Sequence, residues 1–184
     1  MDTPSSTDVI GILTSQIGRD HASRLLEVAA VRELPAGTTL IKDSSPVDAL
    51  YLVIDGEVAV SIESGGRVLS LGHLGRGSWI GEVSLLCGEI PASSTVSAES
   101  AIRVLEVKHH TFNTLLNDDP ELANGLLRVF VRALTERIRA SDALVAQRNP
   151  TSFALRAGDK PAEHESFIKA VLQKLAGVGM RGAA

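Results

Sequence analysis

The chain of 184 residues holds a single cysteine, Cys87. No intramolecular disulfide framework can form, and a reducing compartment is the simplest setting. Long apolar runs are missing as well; none approaches the roughly 20 residues that span a bilayer. The stretch from Met1 to Asp8 has neither a basic start nor an apolar core, so it does not read as a signal peptide. A soluble, cytoplasmic protein without a membrane span is expected. Nothing in the chain carries a nucleophile elbow, a Walker loop or a paired-carboxylate pattern, and no catalysis is expected. The histidines (His21, His73, His109, His110 and His164) are scattered, with no His-x-His followed by a glutamate, so no metal site is expected. His109 and His110 read as a surface turn between a strand and a helix. Cys87 reads as a small apolar filler, because no second cysteine can resolve an oxidised thiol. Gly72 to Gly77 lacks the strand and helix of a Rossmann loop and reads as a turn. Basic residues are scarce in the first two thirds. Residues 1–120 carry 8 Lys/Arg against 16 Asp/Glu, a net of −8, and residues 121–184 carry 10 against 6, a net of +4. That modest excess on helical sequence reads as a solvated face rather than a nucleic-acid footprint.

What is present is a folded-protein composition, 44% apolar, in a chain long enough to bury one core with appended helices. After a leader over residues 1–7, apolar residues recur at helical spacing from Asp8 to about Val31, with Gly18 as a break between two short helices. Short strand-like runs then follow at 38–42, 49–54, 57–63, 67–72, 93–98 and 101–107. Asp55-Gly56 and Ser64-Gly65-Gly66 between them read as hairpin turns. Many short strands without interleaved helices imply a mainly β fold, an antiparallel barrel or jelly roll with α flanks. A helix over 109–116 leads to a start signal at Asn117 to Pro120. A long helix over about 121–147 follows, its face of Leu127, Phe130, Leu134, Ile138, Ser141 and Val145 spaced as a dimer seam. The domain reading is 1–30 leader and helices, 31–120 β-barrel, 121–148 dimerisation helix, 149–162 linker, and 163–184 a last amphipathic helix with its tail.

Residues 81–96 have the layout of a phosphate-cradling cassette: Gly81-Glu82, a one-turn apolar helix, a loop with Pro91, then Ser93, Ser94 and Thr95 leading into a strand. With Leu34 to Gly37, Asp48 to Val58, Leu71 to Gly77, Trp79 to Glu82 and Phe112 to Pro120, it makes residues 30–140 resemble the cyclic-nucleotide-binding domain family. The resemblance implies a double-stranded β-helix, or jelly roll, followed by a long C-terminal helix. It also implies a regulatory sensor of cyclic AMP or cyclic GMP, with no other cofactor, signalling through its helices to a partner protein. On that basis the ligand-binding residues would be Gly81, Glu82, Val83, Ser84, Ser93, Ser94, Leu71 and Arg137. Backbone N–H groups at Val83 and Ser84 would face the cyclic phosphate. Glu82, an acceptor when ionised, suits a ribose 2′-hydroxyl.

Two positions depart from the family pattern. Ala92 stands where an arginine would bind the phosphate with bonds worth about 1.5–3 kcal/mol. A helix dipole contributes roughly 0.3–1 kcal/mol and does not replace it. On the long helix, Arg137 and Ile138 stand where activator-type members offer hydroxyls to the base. Arg76 or Arg137 is the candidate substitute cation, with Arg67 and Arg103 behind them. The alternatives are a degenerate, ligand-free dimerisation or adaptor domain and a truncated relative of a transcription regulator. Only 36 residues follow Arg148, short of the helix-turn-helix such regulators append, so DNA binding is not expected.

Overall fold

A computed structural model describes residues 6–88 and 90–148. The linker and last helix expected over 149–176 lie outside the described residues. The chain divides into two units, residues 1–138 and 139–184, and the first contains the barrel.

Helices α1 (Ser6–Ile17) and α2 (Arg19–Val28) break at Gly18, whose φ of 85° suits only glycine readily. The strands are β1 (Ala30–Leu34), β2 (Thr39–Ile41), β3 (Ala49–Asp55), β4 (Val58–Ser64), β5 (Arg67–Leu74), β6 (Trp79–Ile80), β7 (Thr95–Ala98) and β8 (Ile102–Lys108). They form two antiparallel four-stranded sheets, ordered β1-β8-β3-β6 and β2-β7-β4-β5. This is a jelly roll of the expected kind. Between β6 and β7 lies the one-turn α3 (Glu82–Leu86), and α4 (His109–Asp118) and α5 (Pro120–Arg148) follow β8.

β3 explains how the layers stack. Leu50, Leu52 and Ile54 join the core beneath the helices, while Val53 joins the core between the sheets. A strand buried on both faces reads as a continuous apolar run, because alternation marks only half-buried strands. β5 is different, an edge strand with Val68, Leu69 and Leu71 exposed.

Several expectations are corrected. Asp55-Gly56 is not a hairpin: β3 and β4 belong to different sheets, so this turn carries the chain from one sheet to the other. Gly65-Gly66 is one, joining Ser64 to its partner Arg67 with φ of 58° and 73°, as a type I′ turn requires. Ala30 and Val31, expected to end a helix, open β1 instead, and the two-residue β6 had no signal of its own. His109 is buried at the start of α4 rather than in a surface turn. Cys87 is exposed at the C-cap of α3 and fills no core.

On α5, Leu122, Ala123, Leu126 and Phe130 are buried. Phe130 lies 5.3 Å from Trp79 and 6.1 Å from Phe112, ring centre to ring centre. Phe130 therefore leaves the expected seam for the core. The apolar stripe that remains runs through Leu127, Val131, Leu134 and Ile138, of which Val131 and Ile138 are 57% and 63% exposed.

Candidate functional site

Gly81 opens the cassette with φ of 91°, and a Cβ there would sit 2.7 Å from the carbonyl oxygen of Ala49. The glycine thus lets the cassette press against β3. Glu82 then starts α3 and is 1% exposed. Its Oε1 accepts a bond from Arg137 Nη1 at 2.5 Å, while Arg137 Nη2 donates to the carbonyl of Trp79 at 2.6 Å. One guanidinium from α5 thereby clamps the last strand before the cassette and the carboxylate that opens it. Such charge-assisted bonds are among the stronger ones in proteins. Removing one partner of a buried pair costs about 3–5 kcal/mol. With Arg137 35% exposed, the lower end applies.

The other wall of the site is the loop from Ile90 to Ser94. Ser84 Oγ donates to the Ile90 carbonyl at 2.5 Å. The Ala92 N–H donates to Ser45 O, and Ser44 N–H to Ala92 O, both at 2.9 Å. Thr95 Oγ1 accepts from the Asp43 N–H at 3.0 Å. Residues 43–45 therefore back the cassette as a strand would. Ala92 itself is 9% exposed and packs with Val96 and Ile80 in the core between the sheets.

These walls enclose a cavity of about 110 Å³. Its apolar lining is Ile41, Val47, Val60, Leu74, Ile80 and Val96, with Pro91 and Ala92. Its polar lining is Glu82, Ser84, Ser93, Ser94 and Arg137. Small-molecule pockets run to about 300–1,000 Å³, so this cavity is smaller than a typical ligand pocket.

Of the residues singled out from sequence, Gly81, Glu82, Val83, Ser84, Ser93, Ser94 and Arg137 all line this cavity. Leu71 does not: on the edge strand β5 it is 58% exposed. Arg76 is no substitute cation either, since its guanidinium donates to Ile54 O at 3.1 Å and pairs with Asp8 at 3.4 Å. Arg103 pairs with Glu33 at 3.7 Å. Arg67 lies at the exposed start of β5. Sequence reading missed the apolar lining, which comes largely from five strands spread along the chain, and the backing loop 43–45. It also missed Gln16, whose Nε2 donates to Gly77 O and whose Oε1 accepts from Trp79 Nε1, both at 2.8 Å. Among the described residues no cluster of His, Cys, Asp and Glu could hold a metal ion, and no helix is long and apolar enough to cross a membrane.

The model of the cyclic nucleotide-binding domain matches residues 31–119. A cyclic nucleotide-gated potassium channel of Mesorhizobium japonicum is 28% identical over 125 residues, covering 68% of this chain and 32% of the channel. The cAMP-activated global transcriptional regulator CRP of Salmonella typhimurium is 30% identical over 105 residues, covering 56% of this chain and 50% of that protein. This chain thus spans half or less of these curated relatives. Among solved structures, the N-terminal domain of a transcriptional regulator from Streptomyces coelicolor superposes with a TM-score of 0.58 at 30% identity. The match covers 72% of this chain and 94% of that one.

Proposed function

Since the chain belongs to the cyclic nucleotide-binding domain family through residues 31–119, we propose that it is a non-enzymatic, cytoplasmic sensor that takes a cyclic nucleotide or related small ligand into the 81–96 cassette and passes the event to a partner protein through its helices. The observation that carries this reading is the position of Glu82. A buried carboxylate faces a cavity lined by Ser93 and Ser94, and its partner Arg137 comes from α5. Filling the cavity and moving α5 are then physically linked. The exposed stripe of Val131 and Ile138, with the partly buried Leu127 and Leu134 beside it, supports a homodimer through the same helix, at the spacing of a coiled-coil seam.

A ligand-free adaptor is the second reading, favoured by Ala92 in the phosphate wall and by the 110 Å³ volume. Calorimetric titration with cyclic AMP and cyclic GMP separates the two. The sensor reading expects saturable heat together with a raised melting temperature, because a ligand that binds only the folded state stabilises it. No heat and no shift up to about 1 mM, the weak end of specific binding, would leave the adaptor reading standing.

A further inference from the structure

We propose that Arg137 is an internal competitor for the carboxylate of Glu82, a latch that keeps the carboxylate covered and the adjoining part of α5 docked until a ligand's hydroxyl takes its place. The proposal rests on the reading of this cavity as a ligand site and adds the event that opens it. Glu82 lines the cavity yet is 1% exposed. No ligand can reach that carboxylate while the guanidinium lies against it at 2.5 Å. Of the serines that line the same cavity, Ser93 is exposed and Ser94 half-buried.

The charges point the same way. Among the described residues, the charged side chains that line the cavity are Glu82 and Arg137, and they neutralise each other. A ligand that displaces the arginine leaves a buried carboxylate without its cation, and must meet it with a hydrogen-bond donor of its own. On a 3′,5′-cyclic nucleotide that donor is the 2′-hydroxyl, because the 3′-oxygen is tied into the phosphate ring.

The position along α5 makes the exchange a mechanical event. Phe130 is fully buried, and Arg137 lies two helical turns beyond it. Between them Val131 and Arg132 are exposed, and Ile138 is exposed next to Arg137. Beyond Phe130, among the described residues, Arg137 links α5 to the barrel through its bonds to Glu82 and to the Trp79 carbonyl. Thr135 Oγ1 bonds only within the helix, to Val131 O. Losing the guanidinium contacts therefore releases residues 131–138 while Phe130 holds. Coupling of this kind is reciprocal: what undocks the helix must also favour the ligand.

Hydrogen exchange by mass spectrometry on the whole chain tests the latch without any ligand. In R137Q and in E82Q, exchange over residues 131–138 should quicken at least tenfold while the strands keep their protection. The double variant R137Q/E82Q should exchange no faster than either single one. It leaves no charge unpaired, so it reports even if R137Q does not fold. Unchanged exchange, or effects that add, would overturn the proposal. In calorimetry, R137Q should bind cyclic AMP at least tenfold more tightly than the natural chain, and 2′-deoxy cyclic AMP should gain nothing. Should R137Q not fold, R137K, which gives up the second bond, takes its place in the titration. Equal or weaker binding of cyclic AMP by the variant would overturn the competition. If no variant binds either nucleotide, the sensor reading fails, and the exchange result alone decides the latch.

Discussion

At the scale of single residues, the cassette is a set of small side chains with large consequences. Gly81 combines a left-handed φ with a Cβ direction blocked by Ala49 O. Any side chain there costs at least about 1–2 kcal/mol for the backbone alone. G81A should lower the urea midpoint accordingly, and an unchanged midpoint would show that β3 can give way. Ala92 is the opposite case, a methyl where a guanidinium would reach the cavity. A92R should cost about 1–3 kcal/mol in stability through overpacking and raise cyclic AMP affinity by one to two decades. Titration without a gain would mean that no phosphate approaches residue 92. Away from the site, burial and the nearby Glu106 hold the Tyr51 hydroxyl above its ordinary value of 10.0. A bond to Glu106 raises Lys108 above 10.5. Below pH 10 both states of the chain keep these protons. At higher pH the unfolded chain releases them first, so stability should fall as pH rises through the folded values. Urea unfolding should show that loss as the pH is raised above about 10, and Y51F should show less of it; an identical loss would remove Tyr51 from the account.

At the scale of elements, sequence and structure agree where a local rule decides and part where distant residues decide. The break at Gly18, the turn at Gly65-Gly66 and the start of α5 at Pro120 are local, and all were legible. For α5, Asp119 Oδ1 accepts from the Leu122 N–H at 3.2 Å, the cap that its sequence announces. The turn at Asp55-Gly56 was misjudged because turn chemistry fixes φ without saying which strand the next one pairs with. Phe130 was assigned to a seam because 3-4 spacing is shared by a dimer face and a core face; only Trp79 and Phe112, remote in sequence, decide between them. Within the site, Glu82, Ser93 and Ser94 were legible through their neighbours in the cassette, and Arg137 through its place on the helix. Its bond to Glu82 was not, since 55 residues separate them. Gln16 belongs to the same class of distant contacts. Q16A strips partners from both Trp79 Nε1 and Gly77 O and should cost about 1–3 kcal/mol. Exchange in α1 should quicken with it, whereas unchanged protection there would show that the apolar contacts of Leu13 and Ile17 suffice.

For the whole molecule, a barrel with a small, partly polar cavity and a helix bonded to the carboxylate that lines it fits a part that reports on something else. The acidic first two thirds and the more basic remainder leave the reporting surface to the helices. Dimerisation through α5 makes a prediction at this scale: I138E should shift sedimentation of the natural chain toward the monomer without lowering its melting temperature by more than a surface change does, about 0.5 kcal/mol. An unchanged sedimentation profile would place the dimer elsewhere or nowhere. The central claim, that the 81–96 cradle receives a ligand, is met most directly by following backbone amide resonances while cyclic AMP is added to about 1 mM. The account expects saturable shifts at Gly81, Val83, Ser93 and Ser94 together with Arg137 on α5. Shifts confined to residues outside the cavity, or none at all, would contradict it.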